Sequence, residues 1–154
     1  MKYIGIDPGL AGGIGIIGDN SVEAYTYTPS NLINIIKSLN DEEDVLFFVE
    51  LVHAMPKQGV TSTFNFGKGF GIILGILEAF NMRYSLVRPQ TWKSNIGVTA
   101  DKKTSVRKAQ LLFPDTSLLP TPRCRVPSDG LAEALLIAEY GRRVSGNRSK
   151  ENVK

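Results

Sequence analysis

The run Val45-Leu46-Phe47-Phe48-Val49, closed by Glu50, constrains the fold more than any other stretch of the chain. Five consecutive apolar residues leave no polar face, so a strand built from them must be covered on both sides. A sheet covered on both faces belongs to a layered α/β protein. The surrounding pattern agrees. Lys2–Asp7, Gly13–Ile17 and Val22–Thr28 read as three strands joined by a Gly-rich turn and by Asp19-Asn20. Ser30 is placed to cap a helix with Leu32, Ile33, Ile36 and Leu39 on one face. Thr61 to Phe80 reads as helical despite its glycines, and Arg83–Arg88 as a fifth strand ended by Pro89. Asp101–Phe113 is a helix with a basic face, Thr116–Pro127 a proline-containing loop, and Ser128 the cap of a last helix. The expectation is an α/β fold with a mixed five-stranded sheet and helices on both faces. No repeat or linker divides it, so residues 1–143 form one domain, and 144–154 form a basic, disordered tail.

Charge is distributed unevenly. Residues 1–50 carry two basic and eight acidic side chains, and residues 51–154 carry sixteen basic and seven acidic. The balance moves from −6 to +9, which suits a polyanion-binding surface in the second part. A solvated surface is the alternative. No apolar run approaches the ~20 residues of a membrane span, and no basic segment followed by an apolar one opens the chain. The lone Cys124 allows no internal disulfide, so cytoplasmic residence is the default expectation.

Several acids occupy apolar segments. Asp7 ends Tyr3-Ile4-Gly5-Ile6, Glu50 ends the central run, and Glu133 lies within Leu131-Ala132-Glu133-Ala134-Leu135-Leu136. Burying an unpaired carboxylate costs several kcal/mol, so such acids need partners. Asp129 precedes Glu133 by four residues, one helical turn on the same face. Taken singly, each acid has a structural alternative. Asp7 suits an Asx-turn, Glu50 an ion pair, Glu133 a solvent-facing position and Asp129 the positive end of a helix. One shared metal site accounts for all four. An all-carboxylate set without cysteine pairs or histidine clusters favours Mg²⁺ over zinc. Two such ions activate water and stabilise the leaving oxygen of a phosphodiester. The glycines after Asp7 would let a phosphate backbone approach closely.

Tyr3–Ile17 (YIGIDPGLAGGIGII), Phe47–Gly59 (FFVELVHAMPKQG) and Asp129–Ala138 (DGLAEALLIA) resemble the RuvC-type Holliday junction resolvases, particularly those carried by bacteriophages. The resemblance runs from about Lys2 to Tyr140, with the motifs in the family's order. It implies a ribonuclease H-like fold, a homodimer, and cleavage of branched DNA that depends on Mg²⁺ or Mn²⁺. It maps Asp7, Glu50, Asp129 and Glu133 onto the catalytic metal site. Cellular members usually carry two aspartates three residues apart, whereas this chain has Asp129 and Glu133 four apart. The segment Trp92–Lys103 resembles the family's basic loop and helix start, which makes Lys93, Lys102 and Lys103 candidates for DNA contact. Arg107 is a further candidate.

Other features keep two readings. Gly67, Gly71 and Gly75 form a small-residue stripe, suited to close packing within one subunit or to contact with DNA or a second copy. Phe64 and Phe66 are core residues or contacts at a DNA branch, with core preferred. Trp92 is read as a packing residue. His53 is close enough to Glu50 to touch a phosphate, but is read as structural. The combined expectation is hydrolysis by paired symmetric nicks with two metal ions, leaving 5′-phosphate and 3′-hydroxyl ends. For a phage-encoded protein the reaction would occur in the host cytoplasm. The rivals are an ATP-dependent kinase of the actin and sugar-kinase type, a non-catalytic binder of branched DNA or RNA, and a nuclease for RNA–DNA hybrids.

Overall fold

A computed structural model describes residues 1–39, 44–51 and 59–151. The elements are β1 (Lys2–Asp7), β2 (Gly13–Ile17), β3 (Val22–Thr26), α1 (Pro29–Ser38), β4 (Val45–Glu50) and α2 (Val60–Ala79). They are followed by β5 (Tyr84–Val87), α3 (Pro89–Ile96), α4 (Lys102–Leu112) and α5 (Asp129–Glu151). The sheet has the order β3-β2-β1-β4-β5. β1–β2 and β2–β3 pair antiparallel, while β1–β4 and β4–β5 pair parallel. The mixed five-stranded sheet expected from the sequence is therefore present.

Alternation along the strands divides the core. Ile4, Ile6, Ile14, Ile16, Phe47 and Val49 point into one cluster with Leu32 and Ile36 of α1 and Ile73 and Leu77 of α2. Phe48 points to the other face, with Trp92 and Ile96 of α3 and Leu131, Leu135 and Leu136 of α5. The apolar run of β4 is thus shared between the two layers, as its lack of a polar face requires.

On the α5 face, β1 and β2 contribute glycine where side chains would otherwise stand. A Cβ on Gly15 would lie 2.5 Å from the Leu135 backbone nitrogen, and one on Gly5 would overlap the Ala134 carbonyl oxygen. α5 therefore lies directly on the strand backbones. This corrects the reading of the glycines after Asp7 as room for a phosphate. Gly13 and Gly15 are filled by α5, and Gly12 folds against the Asp7 carbonyl, which leaves only Gly9 open.

Local signals explain most element ends. α1 is capped by Thr28, whose hydroxyl accepts from the Asn31 N–H, with Pro29 in the first turn, rather than by Ser30. Asp101 caps α4 by accepting from the Lys103 N–H. Ser128 caps α5 by accepting from the Leu131 N–H. α3 is an element the sequence reading lacked. Pro89 opens it and Gly97, at φ 80°, closes it in the left-handed conformation that glycine tolerates. α5 continues to Glu151, past the Arg143 boundary, and the partly buried Val144 packs on the second cluster.

α2 departs most from expectation. Only Ile73 and Leu77 are buried, and nothing stands within 4 Å of a Cβ placed on Gly67, Gly69, Gly71 or Gly75. Packing of the glycine stripe within the subunit is overturned. So is the core reading of Phe64 and Phe66, which are 68% and 39% exposed. Both aromatics lie in the first turns of a helix that touches the sheet only through its later residues. α2 is also long and apolar enough to cross a membrane by length and composition alone, contrary to the sequence expectation. It is docked on the sheet through Ile73 and Leu77.

Replacing Gly5 with alanine should force α5 away from the sheet. The expected cost is about 3 kcal/mol, read as a lowered denaturant midpoint with unchanged slope.

Candidate active site

Strand parity decides which way the acids face. Ile4 and Ile6 enter the first core cluster, so Asp7 points to the α5 side. Phe47 and Val49 enter the same cluster, so Glu50 also points to the α5 side. Ile6 and Val49 are register partners on adjacent parallel strands, which makes the next residue of each strand a neighbouring acid. α5 begins with Asp129 beside Gly130, which packs against the Ala11 carbonyl of the β1–β2 turn. Glu133 follows one turn later and is 5% exposed. Acids from two strand ends and one helix start thus meet on one side of the sheet.

Burial and mutual repulsion both act on these acids. Burial pushes the Asp7 carboxyl up to about 8, and the charges of Glu50, Glu133 and Asp129 push the same way, against Lys102. Glu50 is also raised, by burial above all and by Glu133. The indole N–H of Trp92 opposes that shift by donating to Glu50 Oε2 at 2.7 Å. Trp92 is fully buried in the second cluster, so it packs as expected and also fixes a carboxylate. Sequence gave no sign of the second role, because a core tryptophan reads the same whichever partner its N–H finds.

Two lysines from the candidate DNA surface reach into the acid cluster. Lys93 Nζ donates to Glu133 Oε1 at 3.0 Å, and Ser105 Oγ donates to the same oxygen at 3.2 Å. Lys102 pairs with Asp129 and holds that carboxyl below its ordinary range. Lys103 and Arg107 remain exposed on α4, four residues apart on one face. Ser105 was also missed. Its signal is a small polar residue on the helix face that carries the buried Ala109. His53 lies outside the described residues.

As placed, no group of three or more Asp, Glu, His or Cys among the described residues is arranged to hold one cation. The donor set nevertheless suits a hard divalent ion. It consists of carboxylate oxygens, and no described residue donates a hydrogen bond to the Asp7 side chain. Four acids face two lysines, so negative charge remains in excess. On the opposite, α2 side of the sheet, a cleft of about 740 Å³ opens between Pro8-Gly9 of the turn and Asn65, Phe66 and Phe70 of α2, and none of the four acids lines it.

Strand order and layering define an α/β protein with a ribonuclease H-like fold. Thermus thermophilus RuvC shares this architecture. Its complex with a Holliday junction substrate superposes with a TM-score of 0.63 at 16% identity, covering 94% of this chain and 96% of that one. A second structure of Thermus thermophilus RuvC gives a TM-score of 0.56 at 18% identity, covering 94% and 97%. No family model and no curated protein sequence matches the chain.

The Asp7 shift sets the direction of a pH effect in protein free of divalent ions. Between the ordinary value of 3.8 and about 8, the folded state keeps a proton that the unfolded chain has released. This contribution to stability is complete below about pH 4 and is lost as pH rises through 8. Asp7→Asn removes the penalty. Its melting midpoint in chelator should exceed that of the parent by roughly 5 °C at pH 8. The gap should narrow towards pH 5, as followed by circular dichroism.

Proposed function

We propose that the chain is a divalent-metal-dependent endonuclease that resolves four-way junctions, and cuts other branched DNA, by paired nicks. The observation that carries this reading is the convergence of Asp7, Glu50, Asp129 and Glu133 on one side of the sheet, in a fold shared with RuvC. Mg²⁺ or Mn²⁺ held by these carboxylates, two ions per site, would supply an activated water and charge stabilisation at the phosphate. The chain's own groups prepare the site. The Trp92 N–H fixes one oxygen of Glu50 and leaves the other free of described donors. Ser105 steadies Glu133, and the docked helix α5 carries Asp129 and Glu133 as a rigid pair. The products of this reading carry 5′-phosphate and 3′-hydroxyl ends.

Lys103 and Arg107 on the exposed face of α4 would bind phosphates and position the branch. Lys93 and Lys102 would join them from the rim of the site. The open face of α2, with Gly67, Gly71, Gly75 and exposed Ile72, supports a symmetric homodimer in which two sites act on opposite arms. Likeness of motifs supports placing the chain with the phage-encoded resolvases, acting in the host cytoplasm.

The test uses a synthetic four-way junction with and without Mg²⁺. Wild type should nick it only with the ion. Asp7→Asn should bind within about threefold of wild type, because phosphate contacts dominate affinity, and nick at least about a hundredfold more slowly. Ion-independent nicking, or cleavage of RNA–DNA hybrids with no action on branches, would overturn the reading. Removing Lys103 and Arg107 together should lower the slope of log binding constant against log salt by about two.

A further inference from the structure

Lys93 and Lys102 each rest on a carboxylate of the acid cluster. The Lys93 side chain is 20% exposed and its ammonium group lies on the buried Glu133. Lys102 projects from the first residue of α4 onto Asp129, and its charge also lowers the pKa values of Asp7 and Glu50. The two ammonium groups thus supply positive charge to an acid cluster that would otherwise repel itself. Both come from the α3–α4 segment, whose outer face carries Lys103 and Arg107.

A carboxylate oxygen engaged by an ammonium group is less available to a cation, so the lysines and a divalent ion compete for Glu133 and Asp129. A phosphate offers the same lysines another anion. We propose that Lys93 and Lys102 are resident countercations of the acid cluster, and that a DNA backbone entering the site draws them onto its phosphates and so releases Glu133 and Asp129 to bind divalent ions. Metal and DNA binding are then coupled, and the coupling is reciprocal. DNA raises ion affinity by the same factor by which the ion raises DNA affinity. The inference rests on the nuclease reading for its DNA ligand. The competition between lysine and cation is a property of the protein alone.

The measurement is divalent-ion affinity, not turnover. Ca²⁺ shares the preference for carboxylate oxygen. It is titrated calorimetrically into wild type, Lys93→Met and Lys102→Met, each with and without a four-way junction. Without DNA, each variant should bind Ca²⁺ about five- to tenfold more tightly than wild type, within the usual span of coupling between sites. With the junction, wild type should gain a similar factor and the variants less. Damage to the fold would weaken ion binding, so a gain cannot arise from it. Lys102 is 68% exposed, so Lys102→Met carries the test even if Lys93→Met does not fold. Equal or weaker Ca²⁺ binding by a folded Lys102→Met overturns the proposal, as does a junction that leaves wild-type ion affinity unchanged. Failure of the nuclease reading is seen separately. There, tighter Ca²⁺ binding by the variants persists while wild type nicks no branched substrate.

Discussion

The contact between α5 and the bare backbones of β1 and β2 underlies everything else in this structure. A helix resting on side chains keeps its axis at the distance those side chains set. Here glycine at positions 5, 13 and 15 removes that layer, and Gly130 lets the helix start meet the β1–β2 turn. The helix N-terminus is therefore held against the ends of β1 and β4. Asp129 and Glu133 inherit their position from this contact, and so does the repulsion they exert on Asp7.

That repulsion is tolerated because it is partly offset locally. Glu133 receives Lys93 and Ser105, Asp129 receives Lys102, and Glu50 receives Trp92. Asp7 alone receives no described donor, and burial above all, reinforced by the neighbouring carboxylates, pushes its carboxyl up to about 8. The site is a cluster of acids at different stages of neutralisation. A preorganised anionic pocket of this kind stores unfavourable charge that a cation relieves on binding.

The sequence made the frame of this arrangement legible. Unbroken apolar character located β4 between two layers, and acids at the ends of apolar strands located Asp7 and Glu50. Period-two alternation put both on one face once the core side was known. Other parts were not legible because the deciding partner lies far away in the chain. The glycines after Asp7 looked available to a ligand, and only α5, more than a hundred residues later, shows that Gly13 and Gly15 are filled. Phe64 and Phe66 looked like core because apolar residues usually find cover, yet α2 meets the sheet only further along. Lys93 and Lys102 looked outward because flexible basic side chains reach either solvent or a buried acid, and spacing does not distinguish these. α3 was overlooked although Pro89 and Gly97 bracket it, since eight mostly polar residues give little periodicity.

α3 is fastened to α5 at two separated places. Lys93 holds Glu133, and Arg143 donates to the Asn95 carbonyl while sharing the buried Glu139 with Arg142. Glu133 and Arg143 stand ten residues apart, about 15 Å along the helix axis. The second fastening involves none of the four clustered acids, so it persists when Lys93 changes partner. Trp92, fully buried and bonded to Glu50, adds a third hold in the middle of the short helix, so an exchange of partners at Lys93 is an event of its side chain and leaves the helix in place.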